Sequence, residues 1–483
     1  MQTVAYAVAA SSQSVEAPAQ DSLRSALAAQ RHAFNLAPFP DLAHRKADLD
    51  RLEKVLVSHS AEIVSALSQD FGGRSEQEAV LSEVIVTLNN LRYTRRRLGR
   101  WMKPRKRHVP LELGSGRAYV LPQPLGIVGI VSPWNFPVQL SLVPLIGALA
   151  AGNRAMIKPS ELSPLTSDVI RKLVAEAFPP EQVVVCPGDV DVARTFVALP
   201  FDHLVYTGST DVGRHVMRVA ADNLVPVTLE LGGKSPALVA PDAVVLEAAK
   251  DIVFGKLLNA GQICISPDYA LVPRALVKEF ARACQQVAQQ MFPEGTASGD
   301  YTSIINQRHL GRLESYLSAA RASGTEIVSL FAADKISPVS RKLAPVLAID
   351  PADDSALMQN EVFGPILSIK PYDSLDDAIA FINSRPRPLA LYLFTRSSAT
   401  IDRVMKRTVC GSVSINDTLV HCAVEDLPFG GVGASGMGHY HGPEGFETLS
   451  KMKPIFHRKG FRTDRFARPP FTTFKKWLIS RLI

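Results

Sequence analysis

From residue 125 onward, short β-rich runs alternate with helical stretches, and this rhythm restricts the fold more than any other feature. GIVGIVS (126–132) precedes an apolar helical stretch at 142–149, and RAMIKPS (154–160) precedes another at 164–178. VVVC (183–186), HLVYT (203–207) and PVTLEL (226–231) continue the series, with helical stretches at 190–199 and 212–221 between them. Strands and helices alternating every ~20–25 residues are the mark of βαβ units and a parallel sheet. Ser163 before Pro164 reads as a helix N-cap followed by proline at the first helical position. The alternation resumes less regularly from 237 to about 414. The fold class expected is α/β, doubly wound, in two lobes.

At 483 residues the chain is too long for one simple core. Before the alternation, residues 22–102 carry apolar positions at helical spacing. SGRAYVLPQPLG (115–126) reads as an extended, hairpin-like segment punctuated by glycine and proline. The first twenty residues read as a flexible Ala/Ser/Gln-rich arm without the apolar core of a secretion signal. Five cysteines in no paired spacing point to reduced thiols in the cytoplasm.

The net charge of +7 lies in the tail. From His457 to Ile483 there are eight Lys/Arg and one Asp, and the rest of the chain balances. That distribution argues against a nucleic-acid face. The cluster RRRLGRWMKPRKR (95–107) reads as the solvated end of a long helix.

Within HLVYTGSTDVG (203–213), Gly208 and Gly213 would let the backbone approach a pyrophosphate at a helix N-terminus, although Thr210 replaces the second glycine of the dinucleotide fingerprint. ELGGKS (230–235) ends like a phosphate-binding loop, but Thr228 stands where that loop needs glycine, which rejects nucleotide hydrolysis. Cys264 lies in NAGQICISPDY (259–269), where Gly261 and Gln262 permit a turn that exposes the sulfur and lowers its pKa through nearby amide N–H groups. Cys186, Cys284 and Cys410 lie in ordinary apolar contexts. Cys422 follows His421, a pair that a cysteine hydrolase could use. Glu230 closes an apolar strand before two glycines, a place from which a carboxylate reaches a cleft as general base or simply meets solvent. His439 and His441 lack further ligands, so no metal is expected. Glu425 and Asp426 read as solvated loop residues.

Taken together, PWNFP (133–137), IKPSE (157–161), TGSTDVG (207–213), LELGGK (229–234), GQICISPDY (261–269), EVFGP (361–365) and LPFGG (427–431) resemble the aldehyde dehydrogenase superfamily. The resemblance spans about residues 20–455. RPRPLALYLFTR (385–396) and GVGASGMGHYHGPEGFETLS (431–450) resemble its class 3 branch, which includes fatty, aromatic and coniferyl aldehyde enzymes.

The resemblance implies a nucleophile at Cys264, with Asn135 and the Cys264 amide as oxyanion donors. It implies Glu230 as water-activating base, Glu361 on the nicotinamide ribose hydroxyls with Phe363 packing beside the cofactor, and Pro133, Trp134 and Leu231 as further cofactor-binding residues. Lys158 and Glu161 would hold the adenosine ribose, and Ser209, Gly208 and Gly213 the pyrophosphate. Glu161 should repel a 2′-phosphate, which favours NAD while leaving NADP possible.

The domains implied are 1–112 with 125–232 for the cofactor and 233–426 for catalysis. Residues 113–124 with 427–460 would bridge a homodimer, and 461–483 would form a basic tail. The substrate expected is an apolar aldehyde, with coniferyl aldehyde preferred. The alternatives are a CoA-acylating relative, which has no need of Glu230, and a cysteine hydrolase pairing Cys264 with His421 or His441.

Overall fold

The computed structural model describes residues 16–110, 113, 115–335, 341–460 and 468–481. Most of the expected N-terminal arm, and residues 461–467 and 482–483 of the tail, lie outside the described residues. Three sheets organise the chain. Strands β1 (Arg105–Arg107) and β2 (Gly116–Pro124) begin an antiparallel sheet. The next five are β3 (Ile127–Val131), β4 (Arg154–Lys158), β5 (Val183–Val185), β6 (His203–Gly208) and β7 (Val227–Leu231). They form a parallel sheet in the order 7-6-3-4-5.

The second lobe contains β8 (Pro236–Val239), β9 (Tyr269–Pro273), β10 (Glu326–Ser329), β11 (Val346–Ile349), β12 (Ile366–Tyr372), β13 (Ala390–Phe394) and β14 (Ser412–Ile415). Their order is 10-11-12-9-8-13-14, and only β10 runs antiparallel. The chain then returns. β15 (Gly436–Met437) pairs with β7, placing Gly436 opposite Glu230, and β16 (Ser450–Arg458) pairs with β2 along its whole length.

Alternating side chains bury both faces of the first parallel sheet, as crossover helices require. Val128, Ile130, Ala155 and Ile157 pack with Leu49, Leu56, Leu91 and Leu145 on one side. Ile127, Met156, Leu204 and Leu229 pack with Leu23, Leu27, Val216 and Ala220 on the other. The second sheet repeats the arrangement, with Val239 and Val272 against Ile252 and Phe280 on one face and Leu238 and Leu271 against Ile379 and Val404 on the other.

Several sequence expectations need correction. Residues 115–126 form one strand rather than a hairpin, because β1 lies along one edge and the distant β16 along the other. The segment 427–460 divides between two sheets: β15 extends the cofactor-side sheet, and only β16 joins β2. The basic residues of the cluster 95–107 are largely exposed, as expected, but the cluster runs beyond the helix end. Arg95 pairs with Asp50, and Arg105–Arg107 is β1 itself. Ser163 makes no capping hydrogen bond. Asp70 takes over, accepting from Leu165 N at 3.1 Å, Thr166 N at 2.8 Å and Thr166 Oγ1 at 2.7 Å. Among the described residues no helix is long and apolar enough to cross a membrane.

The Asp70 cap anchors the helix Pro164–Ala177 that follows β4. Asp70→Ala should cost about 1–2 kcal/mol, the worth of a strong N-cap. Urea unfolding checks this, and an unchanged midpoint would show that the cap is dispensable.

Candidate active site

The turn carrying Cys264 is built by backbone geometry. Asn259, Ala260 and Gly261 take φ of 49°, 50° and 73°, three successive left-handed residues after the helix Val245–Leu257. Gly261 is obligatory, since a Cβ there would lie 2.4 Å from Gly364 O. The turn delivers Cys264, half-buried, into a tunnel of about 550 Å³. Phe136, Leu140, Phe254, Phe292, Phe429 and Tyr440 give the tunnel an apolar wall. Burial pushes the Cys264 thiol far up, and negative charge at Glu361 and Glu230 adds to this. The expected lowering by amide N–H groups is therefore overturned, because desolvation outweighs the one backbone hydrogen bond.

Asn135 sits directly behind the turn. Its Nδ2 donates to Gln262 O at 3.1 Å, which leaves its second N–H for another acceptor. Its carbonyl accepts from Arg74 Nη1 and from Asn259 Nδ2, each at 3.1 Å. Arg74 forms a wholly buried ion pair with Glu83 at 3.0 Å. Glu83 in turn accepts from Val138 N at 3.1 Å and Gln139 N at 2.8 Å, capping the helix Pro137–Ala151. Burial pushes the Glu83 carboxyl up to about 7, with Arg74 and the two amides opposing.

Glu230 ends in the same tunnel as Cys264. It is 3% exposed, and neither carboxyl oxygen has a hydrogen-bond partner among the described residues. Burial therefore holds its pKa well above the usual carboxyl range. The solvated strand-end reading of Glu230 fails. Glu361 approaches from the other side, with Oε1 unpartnered and burial pushing it up to about 8. It fits only because residue 232 is glycine, where a Cβ would lie 2.0 Å from Glu361 Oε2.

The loop bearing Glu361 is pinned by Lys234, which pairs with Asp268 and donates to Leu357 O at 2.7 Å and Asn360 O at 2.8 Å. Asp268 also accepts from Val362 N at 2.8 Å. Phe363 packs edge-on to Trp134 at 5.5 Å, beyond the half-buried Pro133.

Toward β4 and β6, Lys158 Nζ lies 3.9 Å from Glu161 Oε2 and donates to Pro159 O at 2.7 Å. Ser209 caps the helix Thr210–Asp222, and Gly208 ends β6. Gly213 departs from expectation. A Cβ there would meet Leu231 Cδ2 at 2.5 Å, so this glycine lets the helix close on β7 rather than admitting a phosphate. The donor set fits a dinucleotide: an acid–base pair at one strand end, a helix N-terminus next to it, and an unpartnered carboxyl at Glu361.

Cys422 also faces the tunnel, yet no basic histidine serves it. His421 Nδ1 is bound to Ser414 Oγ at 2.8 Å, and burial lowers its pKa to about 4. Glu425 is not a solvated loop residue, because it is half-buried and accepts from Asn90 Nδ2. Among the described residues no three His, Cys, Asp or Glu side chains gather to hold a metal ion. The sequence reading missed Arg74, Glu83, Asn259, Asp268 and the pinning role of Lys234. Each works through a partner distant in sequence.

Residues 4–455 match the aldehyde dehydrogenase family. A probable coniferyl aldehyde dehydrogenase of Pseudomonas aeruginosa is 48% identical over 460 residues, covering 95% of this chain and 96% of that protein. Staphylococcus aureus AldH, solved in a substrate-bound state, superposes with a TM-score of 0.90 at 39% identity, covering 95% of this chain and 99% of that one. An NAD-dependent aldehyde dehydrogenase of Sinorhizobium meliloti gives 0.83 at 27% identity, covering 94% and 89%. The chain belongs to the aldehyde dehydrogenase family and is an oxidoreductase of aldehydes.

Lys234→Met should leave Asp268 buried and unpaired at a cost of roughly 3–5 kcal/mol. Denaturant unfolding would show the loss. Wild-type stability in this variant would mean that the pair does not hold the Glu361 loop.

Proposed function

We propose that this enzyme oxidises an aromatic, coniferyl-type aldehyde to its carboxylate through a thioester on Cys264, with NAD as cofactor. One observation carries the reading: Cys264 and the unpartnered Glu230 face the same apolar tunnel. The relative from Pseudomonas aeruginosa supports the coniferyl substrate, and the tunnel's aromatic wall suits a planar phenyl ring. The relative from Sinorhizobium meliloti supports NAD, as does Glu161 beside Lys158. NADP should serve less well.

Cys264 gives up its thiol proton to water in the tunnel and its Sγ attacks the carbonyl carbon, whose oxygen becomes an oxyanion. Asn135 Nδ2, fixed through Gln262 O and the Arg74–Glu83 pair, donates to that oxygen together with the Cys264 amide. Such a donor is typically worth ~3–4 kcal/mol in the transition state. A nicotinamide cofactor held by Lys158, Glu161, Ser209 and Glu361 would supply the hydride acceptor for that carbon. Glu230, ionised, then takes a proton from water, the hydroxyl adds to the thioester, and the C–S bond breaks, the sulfur taking the proton of the new carboxyl group so that carboxylate and the Cys264 thiol are released. A CoA-acylating enzyme would have no use for a base held in this way.

Residues 1–112 and 125–232 bind the cofactor, 233–426 carry the nucleophile, and 113–124 with β16 serve oligomerisation. The open edge of β16 supports a homodimer, since a second copy would cover unpaired backbone groups. Five free cysteines suit the cytoplasm.

The test is formation of reduced nicotinamide with NAD or NADP and coniferyl aldehyde, benzaldehyde or hexanal, with and without CoA. Turnover without CoA, highest with coniferyl aldehyde, is expected, whereas a strict need for CoA would overturn the proposal. Cys264→Ala should abolish turnover, and Glu230→Gln should give one burst of reduced cofactor followed by slow release. Because burial raises the Glu230 pKa, acid release should rise with pH as that carboxyl ionises. A profile that Glu230→Gln leaves unchanged would remove Glu230 from the mechanism.

A further inference from the structure

The wall of the tunnel is mostly apolar, and most of the polar side chains set into it are engaged with protein. Ser82 Oγ donates to Glu78 O at 2.6 Å, while the Glu78 carboxylate accepts from Thr302 Oγ1 at 2.7 Å and from Asn259 N at 3.1 Å. Thr418 Oγ1 donates to Asp251 O at 2.6 Å. Thr207 stands beside Glu230 at the cofactor end, and Gln77 and Asp300 are exposed at the rim. Gln139 is different. It is half-buried in the wall with Phe136 and Leu140, and its side-chain amide makes no hydrogen bond to the described residues.

An amide in an apolar wall keeps its hydrogen bonds only through water or through the ligand that displaces that water. The Gln139 carbonyl accepts a hydrogen bond, and the NH2 beside it donates one. Those two atoms are spaced much like two oxygens on neighbouring carbons of a benzene ring. A phenol O–H suits the acceptor, and an ether oxygen next to it on the ring suits the donor. A bare phenyl ring or an alkyl chain leaves both amide atoms unmet. A site that hydrogen-bonds a substrate hydroxyl discriminates against the analogue that lacks it.

Gln139 is also held in a fixed relation to the proposed oxyanion donor. Asn135 lies four residues earlier, roughly one helical turn away along the chain. One buried ion pair anchors both positions: Arg74 Nη1 donates to Asn135 O at 3.1 Å, and Glu83 accepts from Gln139 N at 2.8 Å. With its carbonyl oxygen on Asn135, an aldehyde joined to its ring through a two-carbon link carries that ring past one turn of the wall. The long Gln139 side chain covers the remaining distance to the far side of the ring.

We propose that Gln139 determines the specificity of this tunnel by reading a ring hydroxyl together with an ether or second hydroxyl beside it. The substrate class is then the ortho-oxygenated phenolic aldehydes, an assignment that rests on the aromatic-aldehyde reading above. Gln139 meets no reacting atom and moves no proton. Its hydrogen bonds form alike in the bound substrate and in the transition state, so their loss falls on KM and leaves kcat.

The test compares coniferyl aldehyde with cinnamaldehyde, which has the same chain and ring without the ring oxygens. The wild type should show the higher kcat/KM with coniferyl aldehyde. Gln139→Leu should lower that value roughly 10-fold through KM, the effect of one or two hydrogen bonds. Cinnamaldehyde turnover should not fall in the same variant, which also reports that it is folded. A titration of coniferyl aldehyde into Cys264→Ala, which cannot react, should show roughly 10-fold weaker binding once Gln139→Leu is added.

Equal kcat/KM for the two aldehydes in the wild type would overturn the proposal and leave the aromatic reading standing. An equal loss for both aldehydes in Gln139→Leu would mark Gln139 as structural and overturn it too. Turnover of hexanal with neither aromatic aldehyde would instead remove the aromatic reading on which the proposal stands.

Discussion

A buried ion pair, Arg74 with Glu83, holds the catalytic geometry together. Both side chains are fully excluded from solvent at 3.0 Å. Such pairs contribute little net stability compared with apolar residues of the same shape, but losing one partner is severe. Its value here is positional. Arg74 holds the Asn135 carbonyl, Glu83 caps the helix after Pro137, and Asn135 and Asn259 then meet at Gln262 O in the turn that presents Cys264. Arg74 also lies over the rings of Phe71 and Phe136, each at 4.9 Å, so the charge is packed behind the tunnel's Phe136. One interaction thus fixes Asn135, the proposed oxyanion donor, the turn that presents Cys264 and part of the apolar tunnel wall.

The site concentrates acid groups where water is scarce. Burial raises Glu78 and Glu83 to about 7, Glu361 to about 8 and Glu230 further still. It also lowers Lys256 to about 8. Low local dielectric is costly for resting charges, but it makes a few fixed donors effective when charge develops on substrate.

Much of this was legible in the sequence. The βαβ rhythm predicted the parallel sheets, and Cys264, Glu230, Asn135 and Glu361 stood in recognisable segments. What escaped depends on contacts between distant residues. The full-length partner of β2 lies more than three hundred residues away in β16, whereas the nearby β1 covers only three of its residues, so local pattern suggested a hairpin. Asp70 caps a helix whose own Ser163 looked sufficient. Gly213 looked like a phosphate glycine and is a packing glycine, because only the fold brings Leu231 beneath it. The pKa of Cys264 was misjudged for a related reason: a turn suggests amide donors, but burial is a property of the assembled tunnel.

The most direct measurement is a crystal structure of Glu230→Gln soaked with NAD and coniferyl aldehyde. The account predicts continuous density from Cys264 Sγ to an acyl carbon, with its carbonyl oxygen within hydrogen-bond reach of Asn135 Nδ2. Density on Cys422 instead, or an acyl oxygen turned away from Asn135, would contradict it.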